Sequence, residues 1–287
     1  MSLSQPAFSR RRAKERIGKI SRYFLAALVA LMVVFPFYIS TNYSLKHSHE
    51  ITVNRLTPPG NPTLENYTKV LTQNKQFGIG FRNTVITTIP TVLILLFTTS
   101  MAAFALARGT GKGYQVVYNV FLAGILIPFQ CIMLPIYLNL SKMNLTSTAT
   151  GFIIARAGLQ ISISILVVTG FVKTVPLELE EAAGIDGCNM FQTFWRVVFP
   201  LMTPVNVTQM VLNTLFVWND YNVAVVLLRK SESQTLPLAQ ILYFNENTSE
   251  LNLAFAFFTM AMLPILILYL CMQRYIVSGI MAGAVKG

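Results

Sequence analysis

Polar side chains recur on one face of an otherwise apolar run that covers residues 205–228. Four of them lie at offsets of 0, 3, 7 and 14, on one side of an α-helix: Asn206, Gln209, Asn213 and Asp220. Amides and carboxylates form hydrogen bonds, and polar groups inside an apolar segment usually face a bundle interior or a watery cavity. We therefore interpret this face as a wall of a route for a polar solute.

A second apolar run, residues 151–172, carries a polar face of its own. Arg156, Gln160 and Ser164 follow one another at steps of four. Residue counting at the helical rise places Arg156 and Asp220 roughly 8–12 Å below the outer surface of a membrane. Two interpretations remain open, because the pair either lines the route or is a buried ion pair that only holds two helices together.

Two aromatic residues extend the set of pathway candidates. Trp218 and Tyr221 stand on either side of Asp220, and sites for polar solutes combine aromatic faces with hydrogen-bonding groups. Aromatic residues at the ends of spans are also ordinary membrane-interface anchors, so both roles stay open. The predicted pathway set is Asn213, Asp220, Gln209, Arg156, Gln160, Trp218 and Tyr221.

No arrangement typical of catalysis or of cofactor binding is recognisable. The pair Gly111-Lys112 lacks the earlier glycine of a phosphate-binding loop and is followed by Gly113 instead of Ser or Thr. The three cysteines are far apart, and His47 and His49 stand together in a polar segment, where solvated side chains are expected. We predict no catalytic residue, no metal and no cofactor in this chain.

Composition places these residues in a membrane protein. Of 287 residues 54% are hydrophobic and 11% are charged, whereas about 25% of an average soluble domain is charged. The net charge is +11, and seven of the 22 basic residues precede position 23, directly before an apolar run. Such a cluster is typical of the cytoplasmic flank of a first span, so neither a soluble globule nor a nucleic-acid-binding arm is favoured.

Six apolar runs are long enough to cross about 30 Å of hydrocarbon. Prolines inside several of them would break soluble helices but are tolerated where neighbouring helices satisfy the freed carbonyl groups. The sequence therefore predicts an all-α, polytopic bundle of six transmembrane helices. The predicted spans are Tyr23–Ile39, Thr84–Ala107, Val116–Leu138, Gly151–Val172, Val205–Leu228 and Ala254–Gln273.

The distribution of basic residues predicts that both termini are cytoplasmic. With that orientation, 13 Lys and Arg residues fall in cytoplasmic segments and 8 in external ones. Two long external segments, Thr41–Asn83 and Arg229–Leu253, either only connect helices or dock a soluble partner. The domains are a basic segment (1–22), a six-span domain (23–273) that includes a cytoplasmic loop (173–204), and a cytoplasmic tail (274–287).

The cytoplasmic loop has the pattern of a helix–turn–helix. Pro176 suits a first helical position, and three acidic residues follow where the helix dipole favours anions. Gly187 can reverse the chain, and Asn189 can cap a second helix. An apolar stripe at helical spacing follows, formed by Phe191, Phe194, Trp195, Val198 and Phe199.

The same loop resembles a known family motif. Glu181-Ala182-Ala183, three residues, Gly187, nine residues and Val197–Pro200 are similar to the EAA loop of permease subunits of binding-protein-dependent ABC importers. Val197 and Phe199 replace the family's Ile and Leu and remain apolar. The stretches EEAAGIDG and FWRVVFPL resemble the carbohydrate importers of the maltose-permease type, as do the triplet Trp218-Asn219-Asp220 and the tail Gly279–Gly287.

The resemblance implies a non-catalytic subunit of a bacterial inner-membrane importer that works by alternating access. Its implied partners are a second permease of a different chain, two nucleotide-binding ATPase subunits that hold ATP and Mg, an external solute-binding protein, an oligosaccharide and the bilayer, with no nucleic acid. The coupling helix that docks on the ATPase would use Glu181, Ala182, Ala183, Gly184, Asp186 and Gly187.

Other classes of function remain as alternatives. An ion-gradient-driven secondary transporter would need an intramembrane carboxylate, for which Asp220 is the candidate, but it would not explain the EAA loop. A membrane-embedded enzyme or receptor would need facing acids or histidines within the spans, and none is seen in the sequence. An ABC importer of a non-sugar small solute is also compatible with the motif.

Overall fold

A computed structural model describes residues 5–246 and 250–284. Residues 1–4 of the basic segment and 285–287 of the predicted tail lie outside this range. All regular structure in the described range is helical, which confirms the predicted all-α class. The α-helices are α1 Gln5–Ser44, α2 Ser48–Val53, α3 Glu65–Gln73, α4 Lys75–Arg108, α5 Lys112–Ile125, α6 Phe129–Lys142, α7 Ala149–Val172, α8 Glu178–Ile185, α9 Met190–Thr193, α10 Phe199–Leu201, α11 Thr203–Trp218, α12 Asn222–Leu227, α13 Leu236–Glu246 and α14 Leu251–Ala284.

Four described segments are long and apolar enough to cross a membrane as single helices. They are Ser21–Ser44, Lys75–Arg108, Ala149–Val172 and Leu251–Gln273. Each contains most or all of one predicted span. The apolar part of α1 is exposed along its length within this chain, as expected of a helix whose side chains meet lipid or another protein.

The third predicted span, Val116–Leu138, is bent. Helices α5 and α6 meet at 104°, and Pro128 stands in the break. Proline has no N–H to donate and disfavours helical backbone at the residue before it, Ile127, so α5, which ends at Ile125, does not continue into α6. The other prolines of the predicted spans lie inside helices: Pro36, Pro90, Pro135 and Pro264.

The fifth predicted span, Val205–Leu228, is interrupted. Helix α11 ends at Trp218 after 16 residues, and α12 begins only at Asn222. A span needs about 20 residues of continuous helix, and α11 alone is shorter than that. The count of six spans is compatible with the fold but is not confirmed, and it stays a prediction.

The chain divides into two compact units, of which the first contains Met1–Val70 and Asn247–Thr259. Polar contacts order its connecting segments. The Asn66 side-chain amide donates to the carbonyl groups of Ser44 and Lys46, both at 2.8 Å, and the Asn252 amide donates to Asn66 Oδ1 at 2.8 Å. The Lys46 side chain is fully buried and donates from Nζ to the carbonyl of Asn54 at 2.6 Å. This part of the predicted external segment is therefore an ordered structure.

The second unit contains Leu71–Glu246 and Met260–Gly287, and α7 and α11 pack along α4 within it. Threonines of α4 can be buried because their hydroxyl groups donate to carbonyl groups of their own helix, as Thr91 does to Thr87 at 2.7 Å. Helix α13 lies against the first turns of α4. A Cβ at Gly80 would be 3.1 Å from Cα of Leu236, so glycine permits this close approach.

Candidate functional site

The loop between α7 and α11 folds as the predicted helix–turn–helix. Helix α8 begins at Glu178, two residues after Pro176, and ends in a tight reversal. Gly187 has a φ of +84°, and the amides of Gly187 and Cys188 donate back to the carbonyl groups of Gly184 (3.1 Å) and Ala183 (2.9 Å). These two bonds form the C-terminal cap that glycine favours, because a left-handed backbone is strained for other residues.

Asn189 caps the next helix, as the sequence predicted. Its side-chain oxygen accepts from the Gln192 amide at 2.9 Å, and the Gln192 side chain accepts from the Asn189 amide at the same distance. This reciprocal pair is a capping box. The turn between α8 and α9 is therefore fixed at both ends by local hydrogen bonds.

Aromatic packing anchors the loop to α4 and to the rest of the second unit. The predicted stripe continues as a π-helical turn, Phe194–Val198, in which Phe194 and Val198 are buried. Phe194 packs against Phe104 of α4 with ring centroids 5.3 Å apart, and Trp195 packs against Phe199 at 4.9 Å. The loop is thus held by a hydrophobic core and has a defined position on the second unit.

The predicted coupling residues lie on different faces of the loop. Ala183 is 7% exposed and packs inward. The other five predicted coupling residues are exposed: Glu181, Ala182, Gly184, Asp186 and Gly187. Ile185, which the sequence analysis did not select, is 88% exposed and is a large apolar side chain at the tip of α8.

An ion pair that the sequence analysis missed holds the start of α8. Nη2 of Arg108, the last residue of α4, lies 2.6 Å from Oε1 of Glu180, and Nε of Arg108 donates to the same oxygen at 2.8 Å. The available signals were a basic residue at the end of a long apolar helix and a second acid beside the EAA motif. Neither signal identifies the partner, because the two residues are 72 positions apart.

A cleft of about 480 Å³ opens beside α7, between the α5–α6 bend and the start of α12. Arg156 and Asp220 both line it, with Nε of Arg156 3.0 Å from Oδ2 of Asp220. The N–H group at Arg156 Nε forms no hydrogen bond, so its contact with Asp220 Oδ2 is an ion pair. Polar lining also comes from Ser162 and Asn222, and the other lining residues are glycines and apolar side chains such as Ile125, Phe129 and Leu159.

Asp220 also shapes the break between α11 and α12. Its Oδ1 accepts from the backbone amides of Val223 at 2.8 Å and Ala224 at 3.3 Å. A carboxylate in this position satisfies amides at the start of a helix and suits the positive end of its dipole. One side chain therefore joins α7, through Arg156, to the start of α12.

The other polar residues predicted on α7 and α11 are buried between helices and do not line the cleft. The Ser100 hydroxyl donates to Asn206 Oδ1 at 3.0 Å, and the Asn213 amide contacts Ser164 Oγ at 3.3 Å. Gln160 and Gln209 are buried as well. Of the seven predicted pathway residues, the cleft brings together only Arg156 and Asp220.

The two aromatic candidates also pack inside the chain. Trp218 is buried and meets Phe81 edge to face, with ring centroids 6.0 Å apart. Tyr221 packs beside a hydrophobic cluster that includes Val217 and Leu227. In the described part of the chain, no group of three or more His, Cys, Asp or Glu residues could hold a metal ion.

These features define a polytopic helical membrane protein with an ordered helix in one inter-helical loop. Residues 81–281 match the family model described as "Binding-protein-dependent transport system inner membrane component". The chain belongs to this family. It is therefore a permease subunit, and ATP hydrolysis takes place in separate subunits of the transporters that contain such permeases.

Relatives match along nearly the whole chain. The probable starch degradation products transport system permease protein AmyC of Thermoanaerobacterium thermosulfurigenes is 36% identical over 95% of this chain and 99% of its own length. The melibiose/raffinose/stachyose import permease protein MelC of Bacillus subtilis (strain 168) is 34% identical over 92% of this chain and 95% of its own. A solved bacterial ABC transporter involved in the import of the acidic polysaccharide alginate has a chain with the same fold, with a TM-score of 0.81 and 23% identity over 96% of this chain and 99% of that one.

Proposed function

We propose that this chain forms one half of the membrane channel of an ABC importer for oligosaccharides. An external binding protein delivers the sugar, and two ATPase subunits hold ATP and Mg and drive the transport cycle. The observation that carries the proposal is the full-length similarity to permeases whose names specify starch degradation products and melibiose, raffinose and stachyose. A second permease of a different chain completes the channel.

The exposed side of α8 is the proposed docking surface for the ATPase. Glu181, Ala182, Gly184 and Asp186 surround the apolar tip at Ile185. Small residues allow a partner backbone to approach closely, and an exposed carboxylate can accept a charged hydrogen bond. Ala183 and Gly187 contribute indirectly, because Ala183 packs α8 against the protein and Gly187 sets the turn.

The cleft beside α7 is the proposed part of the sugar route. Its apolar walls and its charged pair provide the combination of stacking surface and hydrogen-bonding groups that sugars bind. The buried seam around Asn213, Gln160 and Gln209 supports the walls of that route. Trp218 and Tyr221 hold the α11–α12 break from which Asp220 reaches the cleft.

The orientation follows from the docking of α8. The loop that contains α8 must lie in the cytoplasm to reach an ATPase, and the basic cluster before α1 favours the same side for the N-terminus. With six spans the C-terminal tail returns to the cytoplasm. The proposed location is the bacterial inner membrane.

Reconstitution tests the proposal. The permease pair, the ATPase and the binding protein are placed in proteoliposomes, and uptake of labelled raffinose and maltotriose is measured beside uptake of an amino-acid panel. We expect sugar uptake only with ATP inside and binding protein outside. Uptake driven by an ion gradient without ATP, or ATP-driven uptake of amino acids alone, would contradict the proposal.

Replacing Asn213 tests the supporting seam. Asn213→Leu leaves the fully buried Ser164 hydroxyl without its partner, which costs about 1–3 kcal/mol for a buried polar group. We expect sugar uptake to fall several-fold while the ATPase still co-purifies. Thr214→Val is the matched control, because within the described part of the chain the Thr214 hydroxyl donates only to the Met210 carbonyl of its own helix. Wild-type uptake by Asn213→Leu would remove this residue from the support of the route.

A further inference from the structure

Arg108 binds two groups at the start of the coupling loop. Besides its two contacts with Oε1 of Glu180, Nη2 of Arg108 donates to the carbonyl of Val175 at 2.8 Å. The side chains of Arg108 and Glu180 are only 11% and 13% exposed. The contact is therefore largely shielded from water, unlike an ordinary surface ion pair.

The pair joins two helix ends whose dipoles favour it. Arg108 is the last residue of α4, where the negative end of the helix dipole stabilises a cation. Glu180 lies in the first turn of α8, where the positive end stabilises an anion. The planar guanidinium can bind a carboxylate and a carbonyl at once, which a lysine ammonium does with less geometric definition.

The three acids of α8 have different roles. Glu180 is engaged inside the protein, whereas Glu178 and Glu181 are exposed. Among the described residues, neither of these two exposed side chains has an ion-pair or hydrogen-bond partner. The pairing therefore fixes which side of α8 faces α4 and leaves Glu181 on the side that is open to a partner.

Helix α4 connects this contact to the other end of the unit. It is one helix of 34 residues, about 50 Å long at the helical rise. Within its first three turns, Gln76 Nε2 donates to the Ser231 carbonyl at 2.7 Å, and Asn83 Nδ2 donates to the Glu232 carbonyl at 2.7 Å. The Leu236 amide donates to Thr84 Oγ1 at 2.7 Å. Segment 231–236 is thus bound to the end of α4 that lies farthest from α8.

We propose that the Arg108–Glu180 pair is the joint through which movement of α8 passes to α4, and through α4 to segment 231–236. Arg108 is a positioning residue in this account, since it acts on the cycle through α8. The inference rests on the proposed function, because an ATPase must move α8. Without the joint, α8 keeps the packing of Ala183 and its links to α7 and to the turn at Gly187, but it loses the polar contact that ties its first turn directly to the end of α4.

The test separates coupling from docking. Arg108→Gln and Glu180→Gln are reconstituted with the partner permease, the ATPase and the binding protein, and sugar uptake and ATP hydrolysis are measured together. We expect the ATPase to co-purify as in the wild type and sugar transported per ATP hydrolysed to fall about fivefold or more, the usual range of coupling between sites. For Arg108→Lys, the amount of sugar transported per ATP should lie between the values of the wild type and of Arg108→Gln. The charge exchange Arg108→Glu with Glu180→Arg should recover part of the wild-type ratio. Glu178→Gln and Lys112→Gln are the controls, because both residues are exposed and lie close to the joint in sequence.

A reporter at the far end of α4 provides a second readout. In a chain whose three cysteines are replaced by serine, a fluorophore on Glu232→Cys should change its signal during ATP turnover, and Arg108→Gln should abolish that change. Either an unchanged sugar-to-ATP ratio in both single variants or a persistent signal in Arg108→Gln would overturn the joint. Loss of ATPase co-purification in these variants would also overturn it, by showing that the pair only maintains the docking surface. Failure of the proposed function is distinguishable, since the wild-type complex would then show no ATP-driven sugar uptake.

Discussion

Ile185→Asp is expected to separate the ATPase from the permease. Ile185 is 88% exposed, and Met190 (69%) and Phe191 (63%) are exposed apolar side chains in the adjoining turn and helix. Apolar side chains clustered on a polar loop mark an interaction surface, and central apolar anchors of such surfaces contribute about 2 kcal/mol or more. A loss of that size weakens binding about 30-fold. We therefore expect ATPase co-purification and ATP-driven uptake to be nearly abolished.

The controls distinguish docking from misfolding. Ile185→Leu keeps an apolar side chain at the tip of α8 and should retain binding. Val53→Asp introduces the same charge at another exposed apolar residue, one outside the coupling loop, and should not change ATPase binding. Binding is measured by titrating purified ATPase onto the detergent-solubilised permease pair. If Ile185→Asp binds the ATPase as tightly as the wild type, α8 is not the docking helix.

The features that sequence predicted best are those fixed by local chemistry. The reversal at Gly187 and the cap at Asn189 depend on residues within about one helical turn, so the residue types alone indicate them. The same signals could not assign a face to Ala183, because its burial depends on the packing of the whole loop. The Arg108–Glu180 contact could not be predicted from the sequence either, because only the fold brings these two residues together.

Helix breaks illustrate a second limit. Five prolines lie in the predicted spans, but only Pro128 stands at a sharp bend, since a proline inside a helix is tolerated wherever neighbours satisfy the freed carbonyl. The predicted polar face of residues 206–220 is buried at Asn206, Gln209 and Asn213 of α11, whereas Asp220 lies beyond the end of that helix at Trp218. Its periodicity could not determine whether that face meets a watery route or polar residues of α4 and α7. The structure places Asn206 and Asn213 against serines of those helices and leaves only Asp220 in the cleft.

Removing the Asp220 carboxylate is expected to have a large effect on stability. The Arg156 and Asp220 side chains are 10% and 9% exposed, so loss of one partner leaves a buried charge without compensation, which costs about 3–5 kcal/mol. Asp220→Ala also removes the acceptor for the Val223 and Ala224 amides, adding about 1 kcal/mol for the lost cap. Asp220→Asn retains an oxygen for that cap. We therefore expect the unfolding temperature in detergent to fall most for Asp220→Ala and less for Asp220→Asn.

The double variant Arg156→Gln with Asp220→Asn separates the two roles that the pair could have. It contains no unpaired charge and keeps the helix cap, so we expect near wild-type unfolding temperature and ATPase co-purification. We also expect sugar uptake to fall about tenfold, which corresponds to losing about 1.4 kcal/mol of interaction with the sugar. The exposed pair Lys69–Glu65 is the control, because Lys69→Gln removes an ion pair that contributes about 0–1 kcal/mol. Wild-type uptake by the double variant would assign the pair to helix packing alone, because neutral side chains would then support transport as well as the charged pair does.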